Sequence, residues 1–338
     1  VKKDTFSDFK KLVSKTKNIS IITHVNPDGD AMGSSLGLYH YLKSKGKNVK
    51  VIVPNMYPDF LAWMPASKQA MVFEGNEATA KKQLAKSDAI FILDFNNYNR
   101  IDILGELIRN STAKKVLIDH HQAPDTVFDY YFHDTAASST CELVYDFICG
   151  IDSKNVIDKK TANCLYTGIM TDTGSFRFRG TNEKTFTVAA ALIKAGAQNA
   201  AIYNNVYDDY TENRLKLLGY CLHEKLVFVP EYKAAYIALS ETELKQFGFK
   251  KGDTEGIVNY ALSVGGIDFS AFFSDKDGAI RISFRSKKFD VNKFARAHFS
   301  GGGHINAAGA KSILSLDDTV KKFIGLLAEY KTELKNNS

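Results

Sequence analysis

Residues 115–125 read KVLIDHHQAPD. An apolar, β-branched run ends there in one carboxylate and two imidazoles: Asp119, His120 and His121. The run is too short for a helix and has the composition of a buried strand. Histidines side by side after such a strand do little for packing. In parallel α/β sheets ligands bind at the carboxyl ends of the strands. The three residues therefore sit where a parallel sheet would place a site.

The neighbouring segments support that sheet. NISIIT, ending at Thr23, reads as a strand, followed by GSSLGLYHYLKSKG with helical periodicity and Gly46 as its stop. VKVIVP is a second strand; AIFILDF and KVLIDHH are a third and a fourth. Helices are expected at about 141–149, 159–171 and 184–195. Strands alternating with helices define an α/β domain with a parallel sheet between helices. We place it at 1–195. Residues 196–225 read as a helical connector. The texture then changes: KLVFVPEYKAAYIALS gives two strands, and IDFSAFFSDKDGAIRISFRS a hairpin turning at DKDG. Residues 226–338 thus form a smaller mixed-sheet α/β domain.

Three further segments carry metal-ligand chemistry. HVNPDGD supplies His24, Asp28 and Asp30 just past the first strand. FILDFNN puts Asp94 at the end of the third, and GIMTDTG puts Asp172 after a helical stretch. Taken singly, Asp28 could serve a turn, and Asp94 and Asp172 could cap helices. Together with His120 they make two imidazoles and four carboxylates. That donor set suits hard or borderline divalent ions such as Mn, Mg or Co. Six donors exceed what one ion with open positions needs; two ions sharing a carboxylate fit better, and such pairs clamp phosphoryl groups.

Composition narrows the remaining classes. The chain has 338 residues, 44% hydrophobic and 24% charged, with a formal charge of +6. That is an ordinary globular composition with a mild basic excess, which fits an anionic substrate. Its four cysteines stand in no CxxC spacing, so no zinc knuckle is expected, and a reducing cytoplasm is the simplest compartment. No signal-peptide core and no run of 18 or more apolar residues is found, so no membrane partner is expected.

With these motifs in order, the chain resembles the DHH phosphoesterase superfamily over roughly residues 10 to 330, and within it the stand-alone nanoRNase / pAp phosphatase type. The C-terminal ISFRSKKFDVNKFARAHFSGGGHINAAGA resembles the substrate-binding domain of that branch. The resemblance implies hydrolysis of short oligoribonucleotides and of 3′-phosphoadenosine 5′-phosphate (pAp) by water activated between two divalent cations, manganese first, with magnesium or cobalt as alternatives. His24 and Asp28 would hold one ion, Asp30, His120 and Asp172 the other, and Asp94 would bridge them. Asp119 would orient a ligand histidine, and His121 would face the substrate phosphate as donor or general acid. Relatives are often dimers, so a homodimer is compatible with the resemblance.

The C-terminal motif has a physical reading of its own. Gly302 and Gly303 would let backbone N–H groups approach an anion, Arg285 offers a planar fork for phosphate, and His304 could donate to the same group. Ile305 and Asn306 depart from the pattern, since relatives often carry a basic residue there. The competing activities are hydrolysis of pApA, the linear product of a cyclic dinucleotide, or of polyphosphate. A non-enzymatic binding protein on the same scaffold is a third class; intact ligand positions argue against it.

Overall fold

The computed structural model describes residues 4–152, 154–276 and 278–336. The chain divides into two compact units, residues 1–209 and 210–338.

The first unit holds six strands: β1 (Asn18–Ile22), β2 (Asn48–Val53), β3 (Met71–Val72), β4 (Ala89–Leu93), β5 (Lys114–Asp119) and β6 (Tyr130–His133). They form one parallel sheet in the order β3-β2-β1-β4-β5-β6. The α/β parallel-sheet expectation holds. The expected third and fourth strands are β4 and β5, because the two-residue β3 precedes them and is too short to show a pattern. Its helices are α1 (Phe6–Lys15), α2 (Gly29–Ser44), α3 (Glu77–Ala85), α4 (Asp102–Arg109), α5 (Thr140–Ile151), α6 (Lys159–Asp172), α7 (Glu183–Lys194) and α8 (Asn199–Tyr207).

Side chains alternate across a strand, and here both faces are apolar. Ile21, Val51, Phe91, Val116 and Ile118 join one buried cluster with α1, α2, α5 and α6. Ile22, Ile52, Ile90, Ile92 and Leu117 join another with α3 and α4. The sheet is therefore sandwiched by helices. Strand order reverses between β1 and β4, which is where such sheets open a crevice at the strands' carboxyl ends.

Helix α2 is buried from Gly29 through Leu38 and lies close against α6. Small residues make that approach possible. A Cβ on Gly168 would stand 2.2 Å from Cys141 Sγ and 2.9 Å from Asp30 Oδ1. Glycine at 168 thus lets α6 press against the start of α2, where Asp30 sits.

The second unit carries α9 (Glu212–Tyr220), α10 (Glu241–Gln246), α11 (Ile257–Tyr260), α12 (Val291–His298), α13 (Leu316–Glu329) and α14 (Lys331–Asn336). Its sheet runs β11 (Ser300–Gly303), β12 (Ala307–Ser312), β10 (Ala279–Ser286), β9 (Phe269–Lys276), β8 (Ala234–Leu239), β7 (Leu226–Val229). Only β8 and β9 pair in parallel, so the sheet is mixed. Of the hairpin turn DKDG, Asp277 lies outside the described residues. The segment read as a connector contributes α8 to the first unit and α9 to the second.

Candidate metal centre

The carboxyl ends of β1, β4 and β5 bring the candidate ligands together, with the near ends of α2 and α6. His24 follows β1 by one residue and is 6% exposed. Its Nδ1–H donates to the Val25 carbonyl at 2.9 Å, which turns Nε2 toward Asp94 Oδ2 at 3.3 Å and Asp28 Oδ2 at 4.0 Å. His120 is held in the same way: Nδ1–H donates to the Ala137 carbonyl at 3.2 Å. Its Nε2 lies 3.5 Å from Asp172, 3.7 Å from Asp94 and 3.9 Å from Asp30. A carbonyl can only accept, so in their neutral form both rings are fixed with the unprotonated Nε2 turned toward the carboxylates, as a metal would require.

Asp28 does double duty. Its Oδ1 caps α2 by accepting from the N–H groups of Asp30 and Ala31, both at 3.0 Å, while Oδ2 faces His24. The local role expected of Asp28 as a turn residue is here a helix cap, and it is compatible with a ligand role for Oδ2. Asp30 is 2% exposed, and its two oxygens accept from the N–H groups of Thr140 (2.7 Å) and Cys141 (2.9 Å) at the start of α5. Thr140 Oγ1 donates to Asp94 Oδ1 at 3.0 Å. Asp94 itself has φ +64°, a left-handed conformation costing a non-glycine residue ~1–3 kcal/mol. Its N–H donates to the Ile118 carbonyl at 3.2 Å, which holds the strained turn in place. That turn aims the carboxylate at both histidines.

These spacings fit metal. Donors ~2.1 Å from a shared ion sit about 3.0 Å apart when adjacent and about 4.2 Å when opposite, a range that covers the contacts of 3.3–4.0 Å here, most of them too long for good hydrogen bonds. Ligand atoms converge in the sets His24–Asp28–Asp94, Asp30–His120–Asp172 and Asp94–Asp119–His121. Asp94 belongs to the first and third sets, and it also approaches His120 of the second.

Charge in the cluster is unbalanced without a cation. Burial, then the carboxylates of Asp94 and Asp172, push Asp30 well up. Asp94 is held low: against the upward push of burial, the His24 hydrogen bond and the charges of His121, His24 and His120 dominate. Burial lowers His120, but Asp172, Asp30 and Asp94 outweigh it and bring it up to about 9. At neutral pH a cation must therefore displace the proton on His120. Metal uptake should release about one proton or more per protein and tighten as pH rises toward 9. Calorimetric metal titrations in buffers of different ionisation heat read this directly; binding independent of pH, with no proton release, would contradict it.

The Asp119 carboxylate accepts from His121, through Nδ1–H at 2.7 Å and the backbone N–H at 3.1 Å. Both histidines lie just past the end of β5, and both rings approach Asp94 Oδ1, at 3.7 Å each. The His121 carbonyl in turn accepts from His133 Nε2 at 2.6 Å. Sequence reasoning missed Thr140, Cys141, Ala137 and His133. The signal available for the first two was Ser139, the N-cap of α5, followed by Glu142 at its N3 position.

Thr140→Val keeps the backbone N–H to Asp30 and deletes the hydroxyl on Asp94. Metal affinity should fall about 10–100-fold with little loss of thermal stability. A metal titration showing wild-type affinity would remove Thr140 from the site.

In the second unit, Ile280, Ile282 and Phe284 of β10 point into the core, so Arg281 and Arg285 share the opposite, half-exposed face. Arg285 pairs in register with Ala307, and the His304 N–H donates to the Ala307 carbonyl at 2.7 Å, so Arg285 and His304 flank one backbone position. The glycines form strand β11. The Gly303 N–H donates to Asn292 Oδ1 at 2.9 Å, and a Cβ on Gly301 would stand 2.3 Å from the Gly309 carbonyl. Close strand packing thus accounts for Gly301, and the N–H groups of Gly303 and His304 already have internal acceptors. Asn306 Nδ2 donates to Ser286 Oγ at 3.1 Å.

A parallel sheet whose strand ends gather six such donors, in a chain that also carries a mixed-sheet unit, describes a metal-dependent phosphoesterase of the DHH type. The chain belongs to the DHH family: residues 18–169 match the DHH family N-terminal domain, and residues 231–332 the DHHA1 domain. It is 30% identical to the bifunctional oligoribonuclease and PAP phosphatase NrnA of Bacillus subtilis, over 97% of this chain and 98% of that protein. It is 32% identical to the probable bifunctional oligoribonuclease and PAP phosphatase NrnA of Streptococcus mutans, over 90% and 93%. Among solved structures, an exopolyphosphatase-related protein from Bacteroides fragilis superposes with a TM-score of 0.93 at 40% identity, over 98% of this chain and 97% of that one. Among the described residues no helix is long and apolar enough to cross a membrane.

Proposed function

We propose that this protein hydrolyses short oligoribonucleotides and removes phosphate from pAp, using two divalent cations, with manganese the preferred ion. The observation that carries the reading is the convergence of His24, Asp28, Asp30, Asp94, His120 and Asp172 at the ends of β1, β4 and β5. Full-length similarity to two proteins named for these activities supports the substrate class.

His24, Asp28 and Asp94 would hold one ion; Asp30, His120 and Asp172 the other, with Asp94 reaching both. Such a pair, when bound, polarises the phosphoryl group and acidifies the attacking water. The protein's own groups do the rest. The Val25 and Ala137 carbonyls keep His24 and His120 in the ligating tautomer. The start of α5 fixes both oxygens of Asp30, and its positive end favours that carboxylate. Asp119 holds Nδ1–H of His121, so Nε2 is the nitrogen presented to substrate, as hydrogen-bond donor or general acid to the leaving oxygen. Arg285 and His304, with Gly302 and Gly303 shaping the strand, would bind the substrate's remote phosphate.

The metal assignment is tested by stripping the protein with chelator and restoring single ions. Hydrolysis of pAp and of a 5′-phosphorylated ribodinucleotide should vanish and return most strongly with Mn, less with Mg or Co. Turnover persisting in chelator would sink the reading. Hydrolysis of polyphosphate is the second reading, favoured by the exopolyphosphatase-related neighbour.

A further inference from the structure

Immediately after Asp172 the chain makes an unusual turn. Gly174, Ser175 and Phe176 are consecutive left-handed residues, with φ of +56°, +59° and +66°. L-residues adopt this conformation reluctantly, and three in a row require outside support. Thr173, 2% exposed, supplies it: its carbonyl accepts from the N–H groups of Arg177 (3.1 Å) and Phe178 (3.0 Å), and its hydroxyl oxygen accepts from the Phe176 N–H at 3.0 Å. The loop is thereby tied to the same end of α6 that carries Asp172.

The two phenylalanines it displays are used differently. Phe176 packs inward, against Tyr166 at 5.8 Å and stacked on Phe186 at 5.6 Å. Phe178 stays 39% exposed, with its ring laid over Gly174: a Cβ there would meet the ring at 2.4 Å. The Arg177 guanidinium stands 5.4 Å from the Phe178 ring centre, and Arg179 is exposed beside it. An exposed ring fixed on a glycine by a strained, hydrogen-bonded turn, with a cation on each side in sequence, lies six residues from a candidate metal ligand. Exposing that ring gains nothing for folding. Aromatic faces with flanking arginines are what unpaired bases and their phosphates bind.

We propose that the loop 173–180 is the nucleobase platform of this site: Phe178 stacks the base next to the cleaved phosphate, and Arg177 and Arg179 hold adjacent phosphate oxygens. The inference rests on the oligoribonucleotide and pAp reading and deepens it. It makes the enzyme selective for nucleotides over base-free phosphoesters, with little preference among bases, since every base has a stacking face.

The test compares wild type, Phe178→Ala and Phe178→Trp as full-length proteins. Binding of a 5′-phosphorylated ribodinucleotide and of its abasic counterpart is measured by equilibrium dialysis in chelator, and KM and kcat are measured with metal. Phe178→Ala should weaken dinucleotide binding and raise KM about 10–100-fold, change kcat little, and leave the abasic compound within about 2-fold; Phe178→Trp should restore wild-type behaviour. Equal losses on both compounds, no loss on either, or wild-type protein that fails to prefer the dinucleotide would each overturn the platform. Failure of the underlying reading has a different signature: metal-loaded wild type that turns over no nucleotide. The dialysis arm still decides the platform in that case.

Discussion

Asp94→Asn should abolish hydrolysis, lowering kcat on the order of 10⁴-fold or more, while the protein remains folded. The residue is 2% exposed, lies 3.3 Å from His24 Nε2 and 3.7 Å from His120 Nε2, and is the carboxylate that reaches both proposed ions. Its left-handed backbone makes the choice of substitution important. Asparagine tolerates that conformation well, so the variant removes charge without adding backbone strain. Alanine would confuse the two effects. Metal stoichiometry should fall with activity, because the remaining donors lose their shared carboxylate. A variant that keeps both ions and full turnover would show that Asp94 does not bridge. Mutating one member of so interdependent a set gives a difference measurement, and the loss should not add with that of Asp30→Asn.

Asp119→Asn should separate chemistry from metal binding. Asp119 is fully buried and accepts two hydrogen bonds from His121. Removing its charge frees the ring to rotate or change tautomer, and Nε2 no longer meets the leaving oxygen as a donor. We expect kcat to fall about 10²–10⁴-fold, the range that a general acid contributes, with both ions still bound. The pH–rate profile should lose its basic limb if His121 is the acid. Wild-type kcat in this variant would remove His121 from proton transfer; loss of metal with activity would make Asp119 a ligand instead.

How far the sequence revealed this depends on what kind of interaction carries each feature. Val116–Ile118 and Ile90–Leu93 are apolar on both faces, which only a covered parallel sheet explains, so the architecture could be read directly. Ligands placed just past those strands were equally visible, because strand direction alone brings strand ends together. β3 and β6, two and four residues long, carry no periodicity to recognise. The supports of the site were hidden for another reason. Ala137 acts through its carbonyl, and Thr140 and Cys141 through their N–H groups, and backbone groups leave no trace in residue type. Asp119 was visible as a carboxylate at the end of β5, but its partner His121 was set by the bend that follows the strand. The glycines of β11 illustrate the converse. Residue type at Gly302 and Gly303 suggested open access to an anion, yet at Gly303 the space a side chain would take is filled by the Ala307 backbone.

A two-metal phosphoesterase for short nucleotide substrates has a distinctive substrate profile, which one side-by-side assay reads. The manganese-loaded protein is given pAp, a 5′-phosphorylated ribodinucleotide, a long RNA and polyphosphate at equal molar concentration, and initial rates are compared. Phosphate should be released fast from pAp and mononucleotide fast from the dinucleotide, with slow attack on the long RNA and none on polyphosphate. Turnover of polyphosphate alone would leave the metal centre standing and contradict the assignment of its substrate.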